Sequence, residues 1–156
     1  MNITKRSKES NIFGLTVNKG KSKMSSIMLT ISSNPNNILE VENYLRDAQI
    51  NLKIDELRFP DILISITEAV NNAIIHGNNA DESKRVRINM EGQSKGIAIS
   101  VSDEGEGFDP EQIPDPTAPE NLECCGGRGV YIMSRLADKL SFANNGSTVQ
   151  MFFKLS

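Results

Sequence analysis

Between Ile62 and His76 the apolar residues Ile62, Ile66, Ala69, Val70 and Ala73 recur at helical spacing and make one stripe. The pattern predicts a helix from about Pro60 to His76, ended by Gly77-Asn78-Asn79. Upstream, SIMLTIS at 26–32 reads as a strand. Asn34-Pro35 then supplies an N-cap and a first helical residue. Ile38, Val41, Leu45 and Ala48 continue as an amphipathic helix to about Gln49, and Leu52 to Phe59 is a connection. Downstream, Lys84 to Met90 and Ile97 to Val101 alternate apolar with polar and form a hairpin through Gly92 to Gly96.

Asp103 to Phe108 leaves that hairpin as a loop. Pro110 to Cys125 contains Pro114, Pro116 and Pro119, shows no periodicity, and is read as a lid, because loops of this length in a compact domain are usually functional or disordered. Gly126-Gly127-Arg128-Gly129 opens a helix with Val130, Met133, Leu136 and Ala137 on one side. Leu140 to Ala143 and Thr148 to Leu155 are closing strands joined through Asn144-Asn145-Gly146. The order strand, helix, helix, hairpin, lid, helix, hairpin implies an α+β two-layer sandwich: a mixed, mostly antiparallel sheet with helices on one face.

Composition narrows the class. A chain of 156 residues, 38% hydrophobic and 24% charged, suits one globular domain with a sizeable core. No apolar run is long enough to span a bilayer, so no membrane role is expected. Lys5, Arg6 and Lys8 are not followed by an apolar segment, so no secretory signal is expected. Cys124 and Cys125 are adjacent and cannot staple distant segments, which points to a reducing cytoplasm. With the lone His76 they also make a poor metal site. The net charge of −3 divides unevenly: residues 1–25 carry six bases and one acid, leaving eleven bases and nineteen acids in the rest. The tail, 1–25, lacks aromatic interleaving and reads as a solubilising arm, unstructured or partly strand-like, with no direct nucleic-acid contact. The folded domain is 26–156.

Three polar clusters carry the chemistry. Glu68 and Asn72 are four residues apart and share a helix face turned away from the apolar stripe. Alone, such a pair reads as a solvated surface. Asp103-Glu104-Gly105-Glu106-Gly107 follows a strand end. Its glycines allow a sharp turn close to a ligand, and Asp103 is an acceptor suited to an exocyclic amine such as that of adenine. Gly126-Gly127-Arg128-Gly129 opens a helix whose free N–H groups favour phosphate. Arg128 either adds charge there or faces solvent. No Lys-Ser/Thr follows, so this is not a P-loop. Nor does a βαβ unit make it a dinucleotide fingerprint. From Asp103 to Glu123 there are eight acids and no base.

Together the words TEAVNNAIIHG (67–77), SDEGEGFDP (102–110), GGRGVYIMSRLAD (126–138) and GSTVQMFFKL (146–155) resemble the ATP-binding domain shared by gyrase, the heat-shock chaperone, histidine kinases and mismatch-repair ATPases, the Bergerat or GHKL fold. Within it the chain looks most like the bacterial anti-sigma-factor serine kinases of partner-switching systems, over about residues 26–156. The resemblance implies ATP and Mg²⁺ as cofactors, Glu68 as general base and Asn72 as metal ligand. It puts Asp103 at adenine, shaped by Gly105 and Gly107. Gly127, Arg128, Gly129 and Val130 fall at the phosphate loop, and Thr148 near the adenine end. His76 is expected to make a structural hydrogen bond rather than to act in catalysis.

The implied function is an anti-sigma factor that phosphorylates a STAS-type antagonist, and family members commonly form homodimers. The alternative is a nucleotide-dependent binding switch without phosphotransfer. Retention of Glu68 favours the kinase, since a pure binder does not need it. A detached histidine-kinase domain would call for a preceding helical segment bearing a phosphoacceptor histidine. A gyrase-like ATPase would call for a second domain. Neither is expected.

Overall fold

A computed structural model of the chain describes residues 11–12, 15–18, 25–112 and 127–156. Strand alternation and register together build the core. Seven described strands lie in the order β1-β2-β3-β4-β5-β7-β6. They are β1 (Asn11–Ile12), β2 (Leu15–Asn18), β3 (Ser26–Ser32), β4 (Arg85–Gln93), β5 (Gly96–Ser102), β6 (Lys139–Ala143) and β7 (Thr148–Lys154). Every described pairing is antiparallel, with none of the parallel component a mixed sheet would have. Leu29, Ile88, Val101, Val149 and Phe142 sit opposite one another across five strands. Ile27, Met90, Ile99, Met151 and Leu140 form a second such row. Since side chains alternate faces along a strand, this register puts both rows on one side. That side is buried under three described helices.

Asn34 caps as expected, its side chain accepting from Asn36 N–H at 2.9 Å, but the first turn, Pro35–Asn37, is 3₁₀. The α-helix α1 (Ile38–Leu52) then runs past the predicted end to Lys53, whose left-handed backbone closes it. α1 contributes Val41, Leu45 and Ala48 to the core. α2 (Phe59–Asn72) contributes the predicted stripe, with Ile62, Ile66 and Val70 fully buried. α3 (Gly127–Leu136) contributes Met133, while Val130 and Ala137 pack at the margin. Side chains of this size each contribute about 1.5–3 kcal/mol on full burial, so the stripe is a main source of stability. Arg58, at the head of α2, pairs with Asp61 at 2.6 Å, bonds Asp138 beyond α3, and lies over the Phe153 ring. The Lys154 backbone N–H and then Arg58 hold the Asp138 carboxyl below its ordinary range.

Within the basic tail, β1 and β2 extend the sheet at β3, following the strand-like alternative. The rest of the tail (1–10, 13–14, 19–24) lies outside the described residues. So does the lid beyond Gln112, with Cys124, Cys125 and Gly126.

Candidate nucleotide-binding site

The site forms where α2 runs out. Instead of stopping, the helix widens into a π-helical turn, Ala73–Gly77, closed by Asn78 N–H to the Ala73 carbonyl at 2.8 Å. Such single wide turns are frequent at functional sites. The turn brings Gly77 against the Asp103 carboxylate so closely that a Cβ on Gly77 would lie 2.4 Å from its Cγ. A Cβ on Gly105 would lie 2.1 Å from the Gly77 carbonyl oxygen, so only a glycine fits there. Asp103 is fixed at both ends: its N–H donates to the Ser147 carbonyl at 2.9 Å, and its Oδ1 accepts from Gly105 N–H at 2.8 Å. Gly107, at φ +80°, turns the loop toward the β6–β7 connection. There Phe108 packs edge-on against Phe142 at 5.2 Å.

The other wall is the start of α3. Gly127 and Gly129 are buried and Arg128 is exposed. A Cβ on Gly129 would stand 2.9 Å from Glu68 Oε2 and 3.0 Å from Asn72 Nδ2. The polar face of α2 is therefore half-buried beneath the glycines of α3, rather than turned to water as its angle to the stripe suggests. Between the walls lies a cleft of about 760 Å³. Its lining includes Asn72, Asp103, Gly105, Gly107, Gly127 and Val130, together with His76 and Lys84.

Six of the ten residues singled out in sequence thus line one cavity. Glu68 and Gly129 meet just behind it. Arg128 takes the solvent-facing alternative. Thr148 is buried behind the cleft, its Oγ1 engaged by Ser102 and by Asn144 Nδ2, while its neighbour Ser147 forms part of the lining. His76 departs from expectation. It is exposed on the cleft wall and, among the described residues, makes no hydrogen bond. The π-helical turn, invisible to periodicity, carries it outward. Lys84 and Phe108 carry no site role in the sequence reading, which gives Gly77 and Asn78 only a helix stop. Their roles depend on contacts between segments distant in sequence.

Burial raises the Asp103 pKa, and the Gly105 N–H and the Lys84 charge only partly oppose this. A carboxyl raised in the folded state contributes stability below its unfolded pKa and loses it as pH rises through the folded value. At neutral pH, without nucleotide, Asp103→Asn should therefore melt at or above the wild-type temperature, with the advantage shrinking under acid. A variant that melts lower at neutral pH would contradict this account of the site.

A family model for the histidine kinase-like ATPase domain matches residues 31–153. The chain belongs to this family. The chain is 37% identical over 115 residues to the anti-sigma F factor of Clostridium perfringens, covering 70% of this chain and 80% of that protein. To the anti-sigma F factor of Geobacillus kaustophilus it is 38% identical over 111 residues, 67% of this chain and 73% of the relative. It is 31% identical over 100 residues to the serine-protein kinase RsbW of Oceanobacillus iheyensis, spanning 60% of this chain but only 63% of that protein. Among solved structures, that of the RsbU and RsbW domains of Rv1364c from Mycobacterium tuberculosis superposes with a TM-score of 0.61 at 18% identity. The match covers 83% of this chain and 32% of the mycobacterial one, and establishes likeness of fold. It agrees with the α+β sandwich read from the element order. No helix among the described residues is long and apolar enough to cross a membrane.

Proposed function

We propose that this chain is a cytoplasmic, Mg²⁺- and ATP-dependent protein serine/threonine kinase that also acts as an anti-sigma factor. Its partners are a sigma factor and a STAS-type antagonist, the latter its phosphorylation substrate. The relatives' names support the class. The observation that carries the chemistry is the convergence at Gly129, where an acid, an amide and a helix start meet beside a cleft bounded by Asp103.

The donors fit the ligands. Asp103 accepts a hydrogen bond from the adenine amine, while Val101, Val130, Met133 and Val149 offer apolar lining. Backbone N–H groups at the start of α3 favour phosphate. The Asn72 amide oxygen would hold Mg²⁺, a hard cation that takes oxygen ligands. Bound there, Mg²⁺ would supply positive charge to offset that of the phosphates in a cleft that Glu106 and Asp109 also line. In the transfer, a substrate hydroxyl oxygen bonds the γ-phosphorus and the bond from that phosphorus to the bridging oxygen breaks. ADP departs and Glu68 takes the hydroxyl proton.

Because Glu68 sits behind Gly129 and not in the lining itself, a nucleotide-dependent switch without transfer is the second reading. Incubation with γ-labelled ATP, Mg²⁺ and candidate STAS-type and sigma-factor proteins separates the two. A labelled antagonist is expected. Nucleotide-dependent partner capture with no antagonist ever labelled would replace the kinase with the switch. Asn72→Ala should lower ATP affinity in Mg²⁺ by roughly tenfold or more, about 1.4 kcal/mol, with the fold intact. Unchanged calorimetric affinity in Mg²⁺ would remove Asn72 from the site.

A further inference from the structure

Asn78 is fully buried, at 0% exposure. A helix stop needs no such burial, since a capping asparagine is usually at the surface. A buried amide is costly unless satisfied. Here both side-chain polar atoms are engaged. Nδ2 donates to Ser33 Oγ at 2.7 Å and to the Arg85 carbonyl at 3.0 Å, and Oδ1 accepts from Glu104 N–H at 2.8 Å. The partners come from the end of β3, the start of β4 and the residue directly after Asp103. Ser33 Oγ donates onward to the carbonyl of Lys84, a cleft residue. The segment that follows is strained: Asn79 and Ala80 are both left-handed, at φ 53° and 54°. Such backbone persists where surrounding bonds over-determine it.

The two ends of the cleft belong to different elements. Asn72 rides on α2, and Asp103 on the exit of β5. Asn78 directly follows the π-helical turn that ends α2, and through Glu104 N–H it grips the Asp103 turn. We propose that Asn78 is a positioning residue for Asp103, holding the 103–105 turn against the end of α2 and so setting where the carboxylate meets an exocyclic amine. This rests on reading the cleft as an adenine site.

The test is calorimetric binding of ATP and of purine riboside triphosphate, which lacks the exocyclic amine, to wild type, Asn78→Ala, Ser33→Ala and Asp103→Asn. Wild type should prefer ATP. Asn78→Ala should erase about tenfold of that preference while its affinity for the amine-free analogue moves by no more than about twofold. Ser33→Ala, which leaves Asn78 Nδ2 only the Arg85 carbonyl while Oδ1 keeps the Glu104 N–H, should lose part of the preference in the same direction. In the Asp103→Asn background, Asn78→Ala should add little further loss. If Asn78→Ala does not fold, Ser33→Ala decides by the same ratio. A merely structural Asn78 would weaken both nucleotides equally and leave the preference intact, which would overturn the proposal alone. A wild type with no preference would instead bring down the adenine reading, and this proposal with it.

Discussion

Glu68→Gln should leave ATP binding near wild type and cut phosphoryl transfer to the antagonist by roughly 10²–10⁴-fold, the usual range for loss of a general base. The reasoning is geometric. Glu68 and Asn72 lie one turn apart on α2, and Gly129 comes within side-chain contact of both. On the proposed reading, one face of a helix would present a metal-binding amide and a proton acceptor to the same phosphate. Glutamine keeps the shape and the hydrogen-bonding reach but cannot hold the proton. A complex with the sigma factor should then persist in ATP while the antagonist stays unphosphorylated. Single-turnover assays with the purified antagonist measure the effect directly. Transfer by the Gln variant at the wild-type rate would show that Glu68 is not the base.

Gly129→Val should abolish measurable ATP binding and weaken ADP binding, a loss of roughly a hundredfold or more, near 2.7 kcal/mol. The expected cause is space. No positive φ is present at Gly129, so forbidden backbone angles are not the reason. A Cβ there already falls within 3.0 Å of Glu68 and Asn72, and valine adds two methyl groups. Either those side chains swing away or α3 lifts from α2, with overpacking of about 1–3 kcal/mol. Both outcomes would spoil the wall proposed to receive phosphate. Gly129→Ala is the graded control: flexible side-chain ends can yield to one methyl, so binding should survive better than transfer. A crystal of the Val variant holding ATP with Glu68 and Asn72 in their original places would refute this placement of the loop.

Much of this fold is local and therefore legible. Alternation in 26–32, 85–93 and 96–102 reflects a sheet with one covered face, and the stripe on α2 reflects a helix with one covered side. Both periods follow from backbone geometry and survive whatever the strands pair with. The motifs were legible for a related reason. Glycine is needed where one backbone must pass within van der Waals contact of another, as at Gly105 beside the Gly77 carbonyl, and that choice of residue type shows in the sequence before the contact is known.

Tertiary structure decided what periodicity cannot carry. The polar pair on α2 read as solvated by its angle to the stripe, but it lies under α3, because two helices meet where glycine leaves room. His76 turned outward because a π-helical turn changes the residues per turn, which no hydrophobic period encodes when the residue itself is polar. Asn78 read as a helix stop, since capping and burial use the same residue type. Only the arrival of Ser33, Arg85 and Glu104, from three separate segments, made it a buried clamp. Contacts of long sequence separation leave no local pattern, because each partner satisfies its own segment's rules and only their meeting is specific.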